Sequence, residues 1–265
     1  MSRRCGPKGG ERTRLGYHGE VTPDATIRGL YQAFAAYPRE QSIEICPHCV
    51  NRPEPEVLPR IPLERLSCPQ LSPFAFRAIS TWGTADDYKH FLPRVLELAA
   101  SPEGRDWPGL DLGVVAGKLD LAGFGGWAGV ERQAVTAYLR DVWDAARAED
   151  PDAGSWSTEE VLAAAARLLD DPAPFLSAWA ADRSRTSVLR LADLLCAARR
   201  PMLEDGDLGV RWRGARGGDA VARWLREPAR RAPLAEALAR DPGEPDAARL
   251  SAGLEALEHL ARIRS

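Results

Sequence analysis

The stretch AGVERQAVTAYLRDVWDAARA, residues 128–148, decides the fold class. Val130, Ala134, Val135, Tyr138, Leu139, Val142 and Trp143 recur at steps of three and four, the spacing of one helix face. No proline interrupts the pattern, and no two-residue alternation competes with it. The spacing predicts a long helix over 128–148 with one apolar stripe. The same period continues on both sides of it. Downstream, Thr158 reads as a helix cap, with Val161, Leu162, Ala165, Leu168 and Leu169 turned inward. Further helices are expected near 172–181, 186–199, 218–226, 228–240 and 246–263, the fourth with Pro233 inside it.

Upstream, a short helix is expected at about 111–122. Another begins at the cap Thr84 and runs through Tyr88, Phe91, Leu92, Val95, Leu96 and Leu98, with Pro93 expected to kink or divide it. One more is expected over 72–79 with Phe74, Phe76 and Ile79 inward, and a first helix follows Thr22 with a stripe of Ile27, Leu30, Tyr31, Phe34 and Ala35. No segment alternates convincingly over a strand's length. The fold class is all-α: an irregular multi-helix array, for which a HEAT-like α-solenoid is the regular alternative. No clean repeat supports the solenoid. Residues 1–20 read as a disordered basic tail and 21–265 as a single helical domain.

Composition narrows the function classes. The net charge of −3 offers no field for nonspecific binding to nucleic acid or anionic lipid. No apolar run reaches the roughly 18 residues of a membrane span, and the basic start has no hydrophobic segment behind it, so a cytoplasmic protein is expected. Of 35 basic residues only Lys8, Lys89 and Lys118 are lysines, so an arginine-rich loop such as RWRGARGG (211–218) carries little weight as an RNA contact. GxSxG, P-loop and HExxH motifs are missing from the sequence.

The exception to the helical pattern is residues 38–69, a connector with prolines at 38, 47, 53, 55, 59, 62 and 69. It carries CPHC, residues 46–49. A thioredoxin-like redox centre needs a helix after the second cysteine, and Pro53, Pro55 and Pro59 forbid one there. A zinc turn fits better, because Cys-Pro-x-Cys aims two thiolates at one tetrahedral ion. A second pair is missing, so Cys68 at the end of the connector and His90 on the helix beyond it are the candidate further ligands to Cys46 and Cys49. Two ordinary packing thiols are the competing reading. Eight tryptophans recur along the chain, and two of them, Trp107 and Trp156, fall in polar loops where an exposed ring would mark a binding surface.

TWGTADDYKHFLPRVLEL (81–98), together with CPHC and GKLDLAGF…ERQAVTAYLRDVW, is similar to a group of uncharacterised bacterial helical proteins. The resemblance implies that Cys46, Cys49 and His90 belong to a shared pattern, and it implies no activity. The reading that results is a non-enzymatic helical scaffold that binds another protein, with a structural zinc at CPHC. The alternative is an enzyme that uses the Cys46/Cys49 pair as a thiol redox centre or an open zinc site.

Overall fold

The computed structural model describes residues 24–37, 42–46, 55–153, 157–240 and 246–262. Among them lie eleven α-helices: α1 (Asp24–Ala33), α2 (Cys68–Arg77), α3 (Ala85–Ala100), α4 (Leu112–Leu121), α5 (Gly129–Ala148), α6 (Thr158–Leu168), α7 (Ala173–Ala181), α8 (Arg185–Glu204), α9 (Gly218–Arg226), α10 (Arg231–Arg240) and α11 (Asp246–Leu260). Short 3-10 turns join several of them. The described residues contain no strand, only two isolated bridges at Trp82. None of their helices is long and apolar enough to cross a membrane.

Side chains at the helix starts explain where several helices begin. Thr84 caps α3: its hydroxyl accepts from Asp87 N–H, and the Asp87 carboxylate takes the Thr84 N–H in return. Asp111 caps α4 through Val114 N–H, and Ser157 caps α6 through Glu160 N–H. The α6 cap is therefore one residue ahead of the expected Thr158, which is itself buried inside the first turn. Ser67 opens α2 four residues earlier than the apolar pattern suggested. Its N–H donates to the Gln70 side chain at 2.9 Å, and Pro69 falls in the first turn, where its missing N–H costs nothing. Proline is also tolerated further inside. α3 runs unbroken through Pro93 and α8 through Pro201. For α8 the helix thus extends past the expected end at 199.

Packing centres on α6. Val161 to Ala166 are all buried, so this alanine-rich helix is covered all round, and it meets α4, α5, α8 and α9. α1 lies along α5, and α11 returns to lie on α8 with α10 beside it. In a solenoid each helix pair would touch only its sequence neighbours. Here α1 meets α5, α4 meets α6 and α8 meets α11, pairs that are not consecutive in the chain. The α8–α11 approach is close because Gly253 faces Ala192: a Cβ at 253 would stand 2.8 Å from the Ala192 Cβ.

Six tryptophans (Trp82, Trp127, Trp143, Trp179, Trp212 and Trp224) are buried as anchors of one continuous core. Trp143, Trp179 and Trp224 form a row, with ring centroids 5.1 and 5.7 Å apart, that links α5, α7 and α9. Three expected core positions, Ala35, Phe76 and Val130, are exposed instead. Phe76 is 53% accessible and Val130 is 59% accessible. On α5 the buried phase is Glu131, Val135, Tyr138, Leu139 and Val142, so a carboxylate occupies the place that Val130 was expected to fill.

Candidate functional site

The proline-rich connector is gripped at three points, and the residues that grip it belong to TWG and KHFLPR. In the middle, Cys46 N–H donates to Thr81 O at 2.9 Å and Gly83 N–H donates to Glu44 O at 2.8 Å. These bonds close Ile45 against Trp82 as an antiparallel bridge. The receiving turn, residues 78–83, is strained. Ile79 has φ of 67°, a left-handed conformation that costs a side-chain-bearing residue about 1–2 kcal/mol. The Lys118 ammonium braces the turn, donating to Ala78 O at 2.9 Å and to Ser80 Oγ at 2.7 Å.

The two ends are held by α3. His90 Nδ1 lies 3.0 Å from Tyr37 O, just before the connector. Arg94 Nε donates to Leu66 O at 2.8 Å, near its far end. Arg94 also pairs with Glu97 at 2.8 Å, and Glu97 accepts from the Tyr31 hydroxyl on α1 at 2.7 Å. Ile43, Leu58 and Leu66 insert into the core as apolar pegs along the same segment. Backbone bonds and buried side chains thus do what a ladder would otherwise do.

Beside this clasp lies a buried ionic knot. Lys89 Nζ donates to Tyr37 Oη at 2.7 Å and to Glu131 Oε2 at 3.0 Å. The Tyr37 hydroxyl donates in turn to Glu131 Oε1. The ammonium also sits 4.4 Å from the Trp127 ring centroid and 4.7 Å from that of Tyr37. Burial alone pulls the Lys89 ammonium down, but the Tyr37 and Glu131 hydrogen bonds outweigh it and the net shift is upward. Burial, then the bond to Glu131, raises the Tyr37 phenol. The lysine therefore stays charged and the phenol neutral across the physiological range.

A second carboxylate cluster joins α4 to α6. Glu160 Oε1 accepts from Leu112 N–H at 3.2 Å, next to the Asp111 cap. Burial, then the neighbouring Asp111 charge, pushes the Glu160 carboxyl up. Both carboxylates are engaged by the N-terminus of α4, which is a structural use.

Three of the four expected metal ligands, Cys46, Cys68 and His90, lie among the described residues. Cys46 is half-buried in the middle of the connector. Cys68 is fully buried at the start of α2, where burial, then the Glu103 charge, pushes its thiol up. His90 is half-buried on α3. Cys49 lies outside the described residues, as does Trp156. Among the described residues no three His, Cys, Asp or Glu side chains are grouped to hold a metal ion. Trp107 is half-buried, packed against the core between two 3-10 turns. Trp212 of the basic loop is buried and donates to Glu159 at 3.1 Å.

Sequence reasoning missed Lys89, Glu131 and Tyr37 as a group. A signal was present for Glu131, which lies in helical phase with Val135, Tyr138 and Val142.

Two variants test these clusters. Lys89→Met leaves the Glu131 charge buried without its partner, and the expected loss is about 3–5 kcal/mol. Lys89→Met/Glu131→Leu should recover most of that in urea denaturation. Losses that simply add would contradict the coupling. Glu160→Gln should behave in the opposite way. The folded state raises the Glu160 pKa, so wild-type stability falls as pH climbs from about 4.3 through the folded value. The glutamine variant should melt roughly 2–4 °C higher at pH 7, equivalent to about 1 kcal/mol. Its advantage should vanish below about pH 4, and a lower melting point at pH 7 would refute the assignment. No family model, curated protein or solved structure matches the chain.

Proposed function

We propose that the chain is a non-enzymatic helical scaffold that binds another protein, and that its CPHC turn holds a structural zinc ion. The observation that carries the reading is the three-point clasp. TWG and KHFLPR, the segments that make up most of the resemblance, spend their polar groups on fixing the shape of the connector. Lys89, His90 and Arg94 hold it through Tyr37 and Leu66, and Thr81 and Gly83 hold it through Cys46 and Glu44. A segment secured at three points, with only short 3-10 turns of its own, is suited to presenting a fixed surface.

His90 supports the metal half of the proposal. A carbonyl oxygen only accepts, so the Nδ1 that faces Tyr37 O carries the proton. That leaves the Nε2 lone pair for a ligand. A ring nitrogen bonded to a backbone carbonyl is the usual orienting contact of a metal-bound histidine. We therefore assign the zinc to Cys46, Cys49 and His90. Cys68, at the end of the connector, is the candidate fourth ligand that a closed structural site requires.

Elemental analysis of protein purified under reducing conditions without chelators tests the metal. About one zinc per chain is expected, with loss of the metal and a lower melting temperature in Cys46→Ser/Cys49→Ser. Metal-free wild-type protein would overturn it. The binding half is tested by reciprocal capture. A partner retained at fixed stoichiometry when either protein is immobilised supports it. A chain that emerges alone in both directions defeats it.

A further inference from the structure

A groove of about 400 Å³ runs along α5 where the end of α6 and the start of α7 meet it. Its floor is apolar, formed by Phe124, Leu168, Leu169, Pro174 and Phe175. One wall is the outer face of α5. Arg132, Thr136 and Arg140 stand there one above another at four-residue steps. The far side carries Arg216, Asp170 and Asp171.

Most of these charges are already compensated. Arg216 pairs with Asp120 at 3.1 Å and Asp170 at 3.5 Å, and donates to Leu168 O at 3.1 Å. Asp171 accepts from Ala173 N–H at 2.8 Å, at the start of α7. The Thr136 hydroxyl donates to Arg132 O at 2.7 Å. Arg132 and Arg140 are both exposed, and neither has an ion-pair partner among the described residues. Among the described residues, the groove therefore presents two unpaired positive charges on the α5 wall against one carboxylate, Asp171, without a cation beside it. The accessible apolar residues of its floor are Leu169 and Pro174. Eight residues apart on a helix, the two arginines are separated by about 12 Å.

We propose that this groove is the docking site for an acidic amphipathic helix of a partner protein. The inference rests on reading the chain as a binding protein. Charge complementarity selects an acidic partner. The described residues offer no sheet edge for strand addition, and the four-residue spacing of Arg132, Thr136 and Arg140 along α5 suits a helix laid in the groove. A helix lying along α5 with carboxylates seven or eight residues apart presents them about 10–12 Å apart, matching Arg132 and Arg140. Its apolar face then covers Leu169 and Pro174, the floor residues that reach the surface.

The test uses the full chain and a fluorescein-labelled 18-residue peptide with leucine along one helical face and glutamate flanking it. A second peptide replaces every glutamate with lysine. Fluorescence anisotropy should show saturable binding of the glutamate peptide at low salt. Binding should weaken at least tenfold in Arg132→Glu/Arg140→Glu and to a lesser extent in Arg132→Gln/Arg140→Gln. A control, Arg60→Glu/Arg223→Glu, changes the net charge equally at two exposed sites elsewhere and should leave the affinity within twofold. Raising the ionic strength should shrink the difference between the groove variant and wild type.

Failure of the glutamate peptide to bind overturns the inference. So does equal binding by the groove variant, or equal binding of the lysine peptide. If a partner found by reciprocal capture still binds Arg132→Glu/Arg140→Glu at full strength, the groove is the wrong surface and the scaffold reading stands. If capture returns nothing while the glutamate peptide binds as described, the groove stands and the scaffold reading loses its support.

Discussion

The Lys89 ammonium is the point on which the N-terminal half depends. It is buried among the Glu131 carboxylate, the Tyr37 hydroxyl and the faces of Tyr37 and Trp127. Those groups come from the end of α1, from α3, from the turn before α5 and from the first turn of α5. An isolated ammonium in that position would be costly to desolvate. With two oxygen acceptors and two ring faces it is fully solvated by protein, and the three helices can close around it. Lysine suits the site better than arginine does. A compact ammonium fits between two rings about 4.5 Å away, whereas a planar fork needs more room and more acceptors.

The clasp on the connector follows from that closure. Once α3 is set against α1 and α5, His90 faces Tyr37 O and Arg94 faces Leu66 O. Seven prolines keep the 38–69 segment from forming a long helix or strand, and ahead of α2 its described part builds only short 3-10 turns at Pro55–Arg60 and Leu63–Arg65. The prolines also reduce the freedom it loses on folding, so a few outside contacts suffice to hold it. The turn at 78–83 contributes the middle contact. Its left-handed Ile79 persists because Lys118, Arg77 and the bridge at Trp82 hold the residues around it.

Much of this was legible in the sequence. Helical periodicity placed α3, α5 and α6 within a residue or two, because each carries a long stripe and a cap or a clear glycine boundary. The starts of α2 and the end of α8 were not legible, since a proline in the first turn or the last looks the same in sequence as a proline that stops a helix. The phase of α5 was read correctly from Val135 onward, and the error lay at the first position of the stripe. Val130 is apolar and Glu131 is charged, so hydropathy chose Val130. Only the position of Lys89 on another helix makes the carboxylate the inward residue. Pairings between residues 42 positions apart leave no local trace. The same holds for the grip of TWG on Cys46 and for the groove on α5, both of which depend on how helices meet.

Replacing a buried ion pair by well-packed apolar side chains is often neutral or stabilising. Lys89 and Glu131 are therefore weak candidates as the main source of stability, and the apolar core around α6 fills that role better. What the pair supplies is selectivity of arrangement. Leucine at both positions would accept α3 sliding along α5 or turning on its axis, because apolar contact is non-directional. The knot accepts one alignment, in which the ammonium meets both oxygens and the Tyr37 hydroxyl reaches the second carboxylate oxygen. That alignment also fixes His90 and Arg94 one residue and five residues further along α3. An error in the register of α3 would release both ends of the connector at once, so the polar knot sets the geometry of the clasp and, through it, the position of Cys46.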